Sequence, residues 1–171
     1  MKVVAAVTAV LLAALPAMAQ REEPLTPEDF LKRAMQDNIA DVEIGRLVQS
    51  DPSLPADVQA VGREISRRSL DLSGELTKLS AELKIPVGNQ ISEQDRQMIQ
   101  RLSRMQGAEF VREYLQYVVN DLEHDATLYE KGAQSDNPSV RRVASQALPA
   151  VKADVARARE VYDQQVANKP E

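Results

Sequence analysis

A chain of 171 residues with 26 acidic and 21 basic side chains carries a formal charge of −5, and its two signs are interspersed rather than blocked, which excludes a basic nucleic-acid-binding face. It has no Cys, so neither a disulfide nor a lipid-modified cysteine contributes, and a core of helix side chains has to carry the fold. No Trp, few other aromatics and few glycines, beside abundant Ala, Leu, Val, Glu, Gln and Arg, favour helix over sheet.

The first element in chain order is an address. Met1-Lys2 supplies a positive end, Val3 to Leu15 is apolar, and Ala17-Met18-Ala19 is a small-x-small cleavage site, so residues 1–19 are expected to be a cleavable signal peptide and the mature chain to begin at Gln20. The apolar run is short of the roughly 20 residues a spanning helix needs, and Pro16 follows it, so a leader retained as a membrane anchor is the weaker reading. No later segment is apolar enough to span, and the expected location is periplasmic or secreted. Loss of Lys2 makes the mature chain one unit more negative. Its length of about 150 residues suits one domain, placed at 27–166 between a short N-terminal extension at 20–26 and a frayed tail at 167–171.

Leu25-Thr26-Pro27-Glu28-Asp29-Phe30 announces the first helix: Thr26 caps, Pro27 fits the first helical position, acids fill the first turn and Leu25 staples onto Phe30. It is predicted to reach Gln49, before Asp51-Pro52-Ser53-Leu54-Pro55 breaks the chain. Pro55 opens a second helix that ends near Lys84, at Ile85-Pro86-Val87-Gly88-Asn89. Ser92, with Asp95 three residues on, resembles a capping box and starts a short helical piece through Met105, with Gly107 as a kink. A third long helix is predicted over 108–134. Asn137-Pro138 caps and starts a fourth, ending near Val166.

Ile65, Leu72, Leu76, Leu79 and Leu83 make one stripe on helix two at three- and four-residue steps. Val111, Leu115, Val118, Leu122, Ala126 and Tyr129 do so on helix three, and Val140, Ala144, Ala147, Val151, Ala158 and Val161 on helix four. A stripe of this kind needs neighbours to cover it. The expected fold class is therefore all-α: a four-helix up-and-down bundle, or its variant with one long crossover, with a short extra helix between helices two and three.

Three polar residues interrupt the seams: Ser69 between Ile65 and Leu72, Asp154 between Val151 and Ala158, and Asp41 on the Ala34, Asn38, Gly45, Val48 face of helix one. A buried polar group without partners costs about 1–3 kcal/mol, so these positions need an account. All three fall near mid-helix, where an antiparallel bundle brings them to one level. The simplest partner is Arg67 or Arg68, reaching Asp41 or Asp154 as a buried ion pair that fixes helix register. The sharper alternative is a metal site with Asp41 and Asp154 as carboxylate ligands, but two Asp and a Ser supply few ligands and no Glu-x-x-His pair exists.

His124, the single histidine, stands two residues after Leu122 and so roughly 200° around the helix, away from the seam and without a role as ligand or base. Tyr114, Tyr117 and Tyr129 read as core or seam aromatics. Arg67-Arg68 and Arg141-Arg142 read as solvated faces or ion-pair partners. No nucleophile-and-base set and no Gly-rich phosphate loop is present, so no enzyme activity is expected.

Asp41-Val42-Glu43-Ile44-Gly45-Arg46-Leu47, Gly107-Ala108-Glu109-Phe110-Val111-Arg112-Glu113-Tyr114-Leu115 and Ala147-Leu148-Pro149-Ala150-Val151 give the chain, from about Pro27 to Tyr162, a resemblance to the exported bacterial ferritin-like family catalogued as domain of unknown function 4142. The resemblance implies a ferritin-like bundle, export and no established activity. The family pattern has Glu where this chain has Asp41, and His at the positions of Ser69, Leu122 and Asp154, which makes this chain a degenerate member lacking the family's histidines. No metal site is carried over from it.

The function expected is that of a non-enzymatic periplasmic interaction or stress-associated envelope module. It would need no cofactor, act on an unknown protein partner, bind no nucleic acid and have no stable membrane insertion after leader cleavage. The alternative is a ferritin-like protein holding iron, manganese or zinc in a reduced carboxylate site at Asp41 and Asp154.

Overall fold

The computed structural model describes residues 25–49 and 51–167; the leader at 1–19, most of the extension at 20–26 and the tail beyond 167 lie outside them. The helices are α1 (Pro27–Gln49), α2 (Ala56–Leu83), α3 (Glu93–Leu102), α4 (Gly107–Ala133) and α5 (Pro138–Tyr162), followed by a π-helical turn at Asp163–Ala167.

Their ends follow local chemistry. Thr26 Oγ1 accepts the Asp29 amide at 3.1 Å, and Leu25 packs beside the cluster that holds Phe30. Pro55 stands at the N-cap of α2, whose end is turned at Lys84 with φ 56°; there the Ser80 hydroxyl donates to the Ile85 carbonyl at 2.6 Å. Ser92 Oγ accepts the Asp95 amide at 3.1 Å. Asn137 Oδ1 accepts the amides of Ser139 and Val140, with Pro138 in the first turn. Two boundaries differ from expectation. α3 stops at Leu102 and α4 starts afresh at Gly107, whose φ of 61° turns the chain where a kink in a continuous helix was expected. The last helix changes from α to π geometry after Tyr162.

Residue pairs across the helices fix the topology. On α1 and α2, Asp41 meets Ser69 while Gly45 abuts Gly62, so these helices are antiparallel. On α4 and α5, Glu123 binds Arg159 while Glu130 binds Lys152, again antiparallel. Across the two hairpins, Asp57 meets Gln165, Arg68 meets Asp154 and Glu82 meets Arg142, so α2 and α5 are antiparallel as well. Hence α2 and α4 run the same way, and the connection between them has to travel the length of the bundle. It does so through α3, which touches both α1 and α4. The result is a four-helix ferritin-like bundle with the long crossover, a choice the sequence left open.

The buried apolar side chains fall into two clusters, not one. One gathers Val48, Val58, Ile65, Tyr114, Leu115, Leu122 and Val161; the other gathers Phe30, Leu31, Leu76, Leu79, Tyr129, Val140 and Val151. Between them lie Asn38 and Asp41 on α1, Ser69 on α2 and Asp125 on α4, the polar layer from which the candidate site is built.

α1 and α2 approach most closely at Gly45 and Gly62. A Cβ on Gly45 would stand 2.5 Å from the Gly62 carbonyl oxygen and collide with Ser66 Oγ, and one on Gly62 would lie 2.9 Å from the Gly45 carbonyl. Backbone cannot yield as a side chain can. Gly45→Ala and Gly62→Ala are each expected to cost about 1–3 kcal/mol in urea unfolding despite alanine's better helix propensity. Gly74→Ala in the same α2, where nothing lies within 4 Å, is expected to stabilise by up to about 1 kcal/mol.

Candidate functional site

Arg68 leaves α2 at mid-height and turns inward, with only 10% of its side chain exposed. Its Nη2 donates to Asp41 Oδ2 at 3.1 Å, and its Nε pairs with Asp154 Oδ2 from α5. The Ser69 hydroxyl, fully buried, donates to the same Asp41 Oδ2 at 2.8 Å. So Asp41, Arg68, Ser69 and Asp154, placed by sequence on three seams, share one layer. Arg67, the other basic candidate, is exposed, and Leu122 belongs to the apolar cluster above.

The electrostatics are those of a buried ion triad. Burial pushes the Asp41 carboxyl up, Arg68 and Ser69 pull it back, and the net direction is upward; Asp154 follows the same pattern with Arg68 as its main counterweight. Burial pushes the guanidinium down, and the carboxylates of Asp41 and Asp154 outweigh it, leaving the cation stabilised. Nη1 of Arg68 makes no hydrogen bond.

The layer extends beyond these residues. Asn38 Nδ2 donates to the Ala34 carbonyl at 2.6 Å and to Tyr129 Oη at 3.2 Å. Asp125 of α4 is 3% exposed, and the charge of the half-buried Asp37 of α1 acts on it. Asp121, one turn before Asp125, and Asp95 on α3, which accepts the Tyr117 hydroxyl at 2.8 Å, complete an acidic group under the crossover. Burial and the neighbouring carboxylates push Asp37 up to about 7 and Asp121 up to about 9, and they raise Asp125 well above the usual carboxylate range.

Sequence reasoning missed Asp37, Asp121 and Asp125. The predicted stripe on α4 passes through Ala126, which is half-buried, whereas the buried positions run Leu122, Asp125, Leu128 and Tyr129. A signal existed in the two Asp pairs at four-residue spacing, Asp37 with Asp41 and Asp121 with Asp125. It could not be used without knowing that these faces of α1 and α4 meet. Tyr114 and Tyr129 are buried and Tyr117 half-buried; burial raises all three phenols, so they stay neutral. His124 is exposed on the rim of a groove of about 360 Å³ that Asp37, Arg33 and Lys131 also line. Among the described residues, no group of three or more His, Asp or Glu side chains is arranged to hold a metal ion.

The family model described as domain of unknown function DUF4142 matches residues 12–161. No curated protein matches this chain. Two solved structures share the fold. One is a DUF305 fragment from Deinococcus radiodurans, 16% identical over 82% of this chain and 99% of that one, with a TM-score of 0.69. The other is CopM in its Cu(II)-bound form, 12% identical over 80% of this chain and 95% of that one, with a TM-score of 0.66.

Removing one member of the triad strands the others in a dry interior. Arg68→Met is expected to destabilise the fold by about 3–5 kcal/mol. Asp41→Leu, Arg68→Met and Asp154→Leu combined are expected to recover most of that loss, as measured by the midpoint and slope of guanidinium unfolding.

Proposed function

From the premise that the chain belongs to the DUF4142 family, we propose that it is an exported helical-bundle protein that performs no catalysis and works through contacts with a protein partner in the periplasm or outside the cell. One observation carries this reading: the guanidinium of Arg68 stands between Asp41 and Asp154, at the level where a bundle holds a catalytic cation. A side chain of the protein supplies the positive charge there. A metal held by Asp41 and Asp154 would have to displace a cation tethered to α2 and bound to both carboxylates.

Export is supported by the sequence of Met1 to Ala19, with its positive end, apolar run and small-x-small site. Among the described residues, no helix is long and apolar enough to cross a membrane. Arg68, Asp41, Ser69 and Asp154 bind one another, which suits a rigid scaffold that presents its outer faces.

Purified protein, stripped of metal and then incubated with iron, manganese, zinc or copper(II) separately, is expected to retain no stoichiometric metal and to keep its Tm. Stoichiometric uptake with a raised Tm, lost in the Asp41→Ala/Asp154→Ala variant, would replace this reading with a metal-binding one. N-terminal sequencing of the released protein tests export directly, with Gln20 as the expected first residue.

A further inference from the structure

The ion triad leaves one nitrogen over. Arg68 turns its Nε and Nη2 edge to Asp154 and Asp41, and Nη1, on the far side of the same planar fork, is buried without a hydrogen bond. A second buried atom of the layer is in the same position. Asn38, 2% exposed on α1, uses its amide nitrogen on the Ala34 carbonyl at 2.6 Å and on Tyr129 Oη at 3.2 Å, while its Oδ1 accepts nothing. Turning the amide over does not help, because Oδ1 would then face the Ala34 carbonyl and oxygen would meet oxygen.

The two atoms belong to one level of the bundle. Asn38 precedes Asp41 by one helical turn on the same buried face of α1, and residues so spaced stand about 5–6 Å apart at Cβ. Asp41 holds the Arg68 fork through Nη2 at 3.1 Å, so Nη1 is carried by a group already fixed against α1. α2 packs on α1 and α5, and a side chain that reaches between them points toward α4, where Tyr129 stands on Asn38 and feels the guanidinium charge.

The chemistry of the two atoms selects what can satisfy them. Nη1 needs an acceptor, and Asn38 Oδ1 needs a donor. A chloride or a carboxylate offers acceptors alone, and the charge of Arg68 is already met by Asp41 and Asp154. A metal cation could take Oδ1 but has nothing for Nη1 and would face its positive charge. Water accepts and donates, and buried waters sit where polar groups of both kinds converge. We propose that the polar layer contains a binding site for a single water molecule, which accepts from Arg68 Nη1 and donates to Asn38 Oδ1. This water completes the layer. The ion triad ties α1, α2 and α5, and the path from Arg68 through water and Asn38 to Tyr129 carries the same layer into α4, so all four long helices share one hydrogen-bonded network.

A crystal structure of the unsubstituted protein at a resolution that orders solvent tests the site without any variant having to fold. The expected result is a water peak about 2.7–3.2 Å from both Arg68 Nη1 and Asn38 Oδ1. Interior density without that peak, with the two atoms bonded to each other or to other protein groups, would overturn the proposal. So would an anomalous bromide peak at Nη1 in a bromide-soaked crystal, since the site would then be an anion site. In solution, oxygen-17 relaxation dispersion counts long-lived internal waters. Asn38→Leu, close in volume and without an acceptor, should lower that count by about one, and a folded variant with an unchanged count would place the internal water elsewhere and sink the assignment.

Discussion

One guanidinium organises the middle of this protein. Arg68 enters the core from α2 and binds a carboxylate from α1 and another from α5, so three of the four long helices are tied at one level by a single side chain. Desolvating these charges is costly, and replacing a buried ion triad by apolar residues is often neutral or stabilising, so the triad is better understood as a constraint on register than as a source of net stability. Sliding α1 or α5 by one residue would carry Asp41 or Asp154 off the seam and leave Arg68 uncompensated. The same layer explains why the apolar core is divided, with Tyr114, Leu115 and Leu122 on one side and Phe30, Tyr129 and Val140 on the other.

The asymmetry of the bundle follows from how its hairpins meet. α1 and α2 approach closely because Gly45 and Gly62 carry no side chains, and α4 and α5 are joined along their length by ion pairs such as Glu123–Arg159 and Glu130–Lys152. α1 and α4 are left with the smaller contact, bridged by Phe30 against Tyr129 and Asn38 against Tyr129. α3 lies against both helices, with Leu102 buried in the core and Asp95 bound to Tyr117. The crossover thus does more than connect: it packs against α1 and α4 and brings Asp95 to Tyr117.

A bundle of this kind is a common scaffold, and the fold does not carry a chemistry with it. The DUF305 fragment and CopM share the fold at 16% and 12% identity. In this chain the side chains at mid-height are an arginine with its carboxylates, beside aspartates whose carboxyls burial pushes up.

The sequence by itself determined the helices, most of their ends and most of the faces they bury. Capping residues such as Thr26, Ser92 and Asn137 act on amides two or three positions away, and the apolar period is a property of each helix alone. It also marked Asp41, Ser69 and Asp154 as polar positions on apolar stripes, with Arg67 and Arg68 as equal candidates to meet them. Only the tertiary structure decided between those arginines, because neighbouring residues point about 100° apart on a helix and just one of them faces α1 and α5. It alone chose the crossover topology, and with it the meeting of Asn38 with Tyr129, whose positions are 91 residues apart in the chain. A carboxyl's charge and proton affinity depend on what the fold places around it, and no pattern along one helix records that.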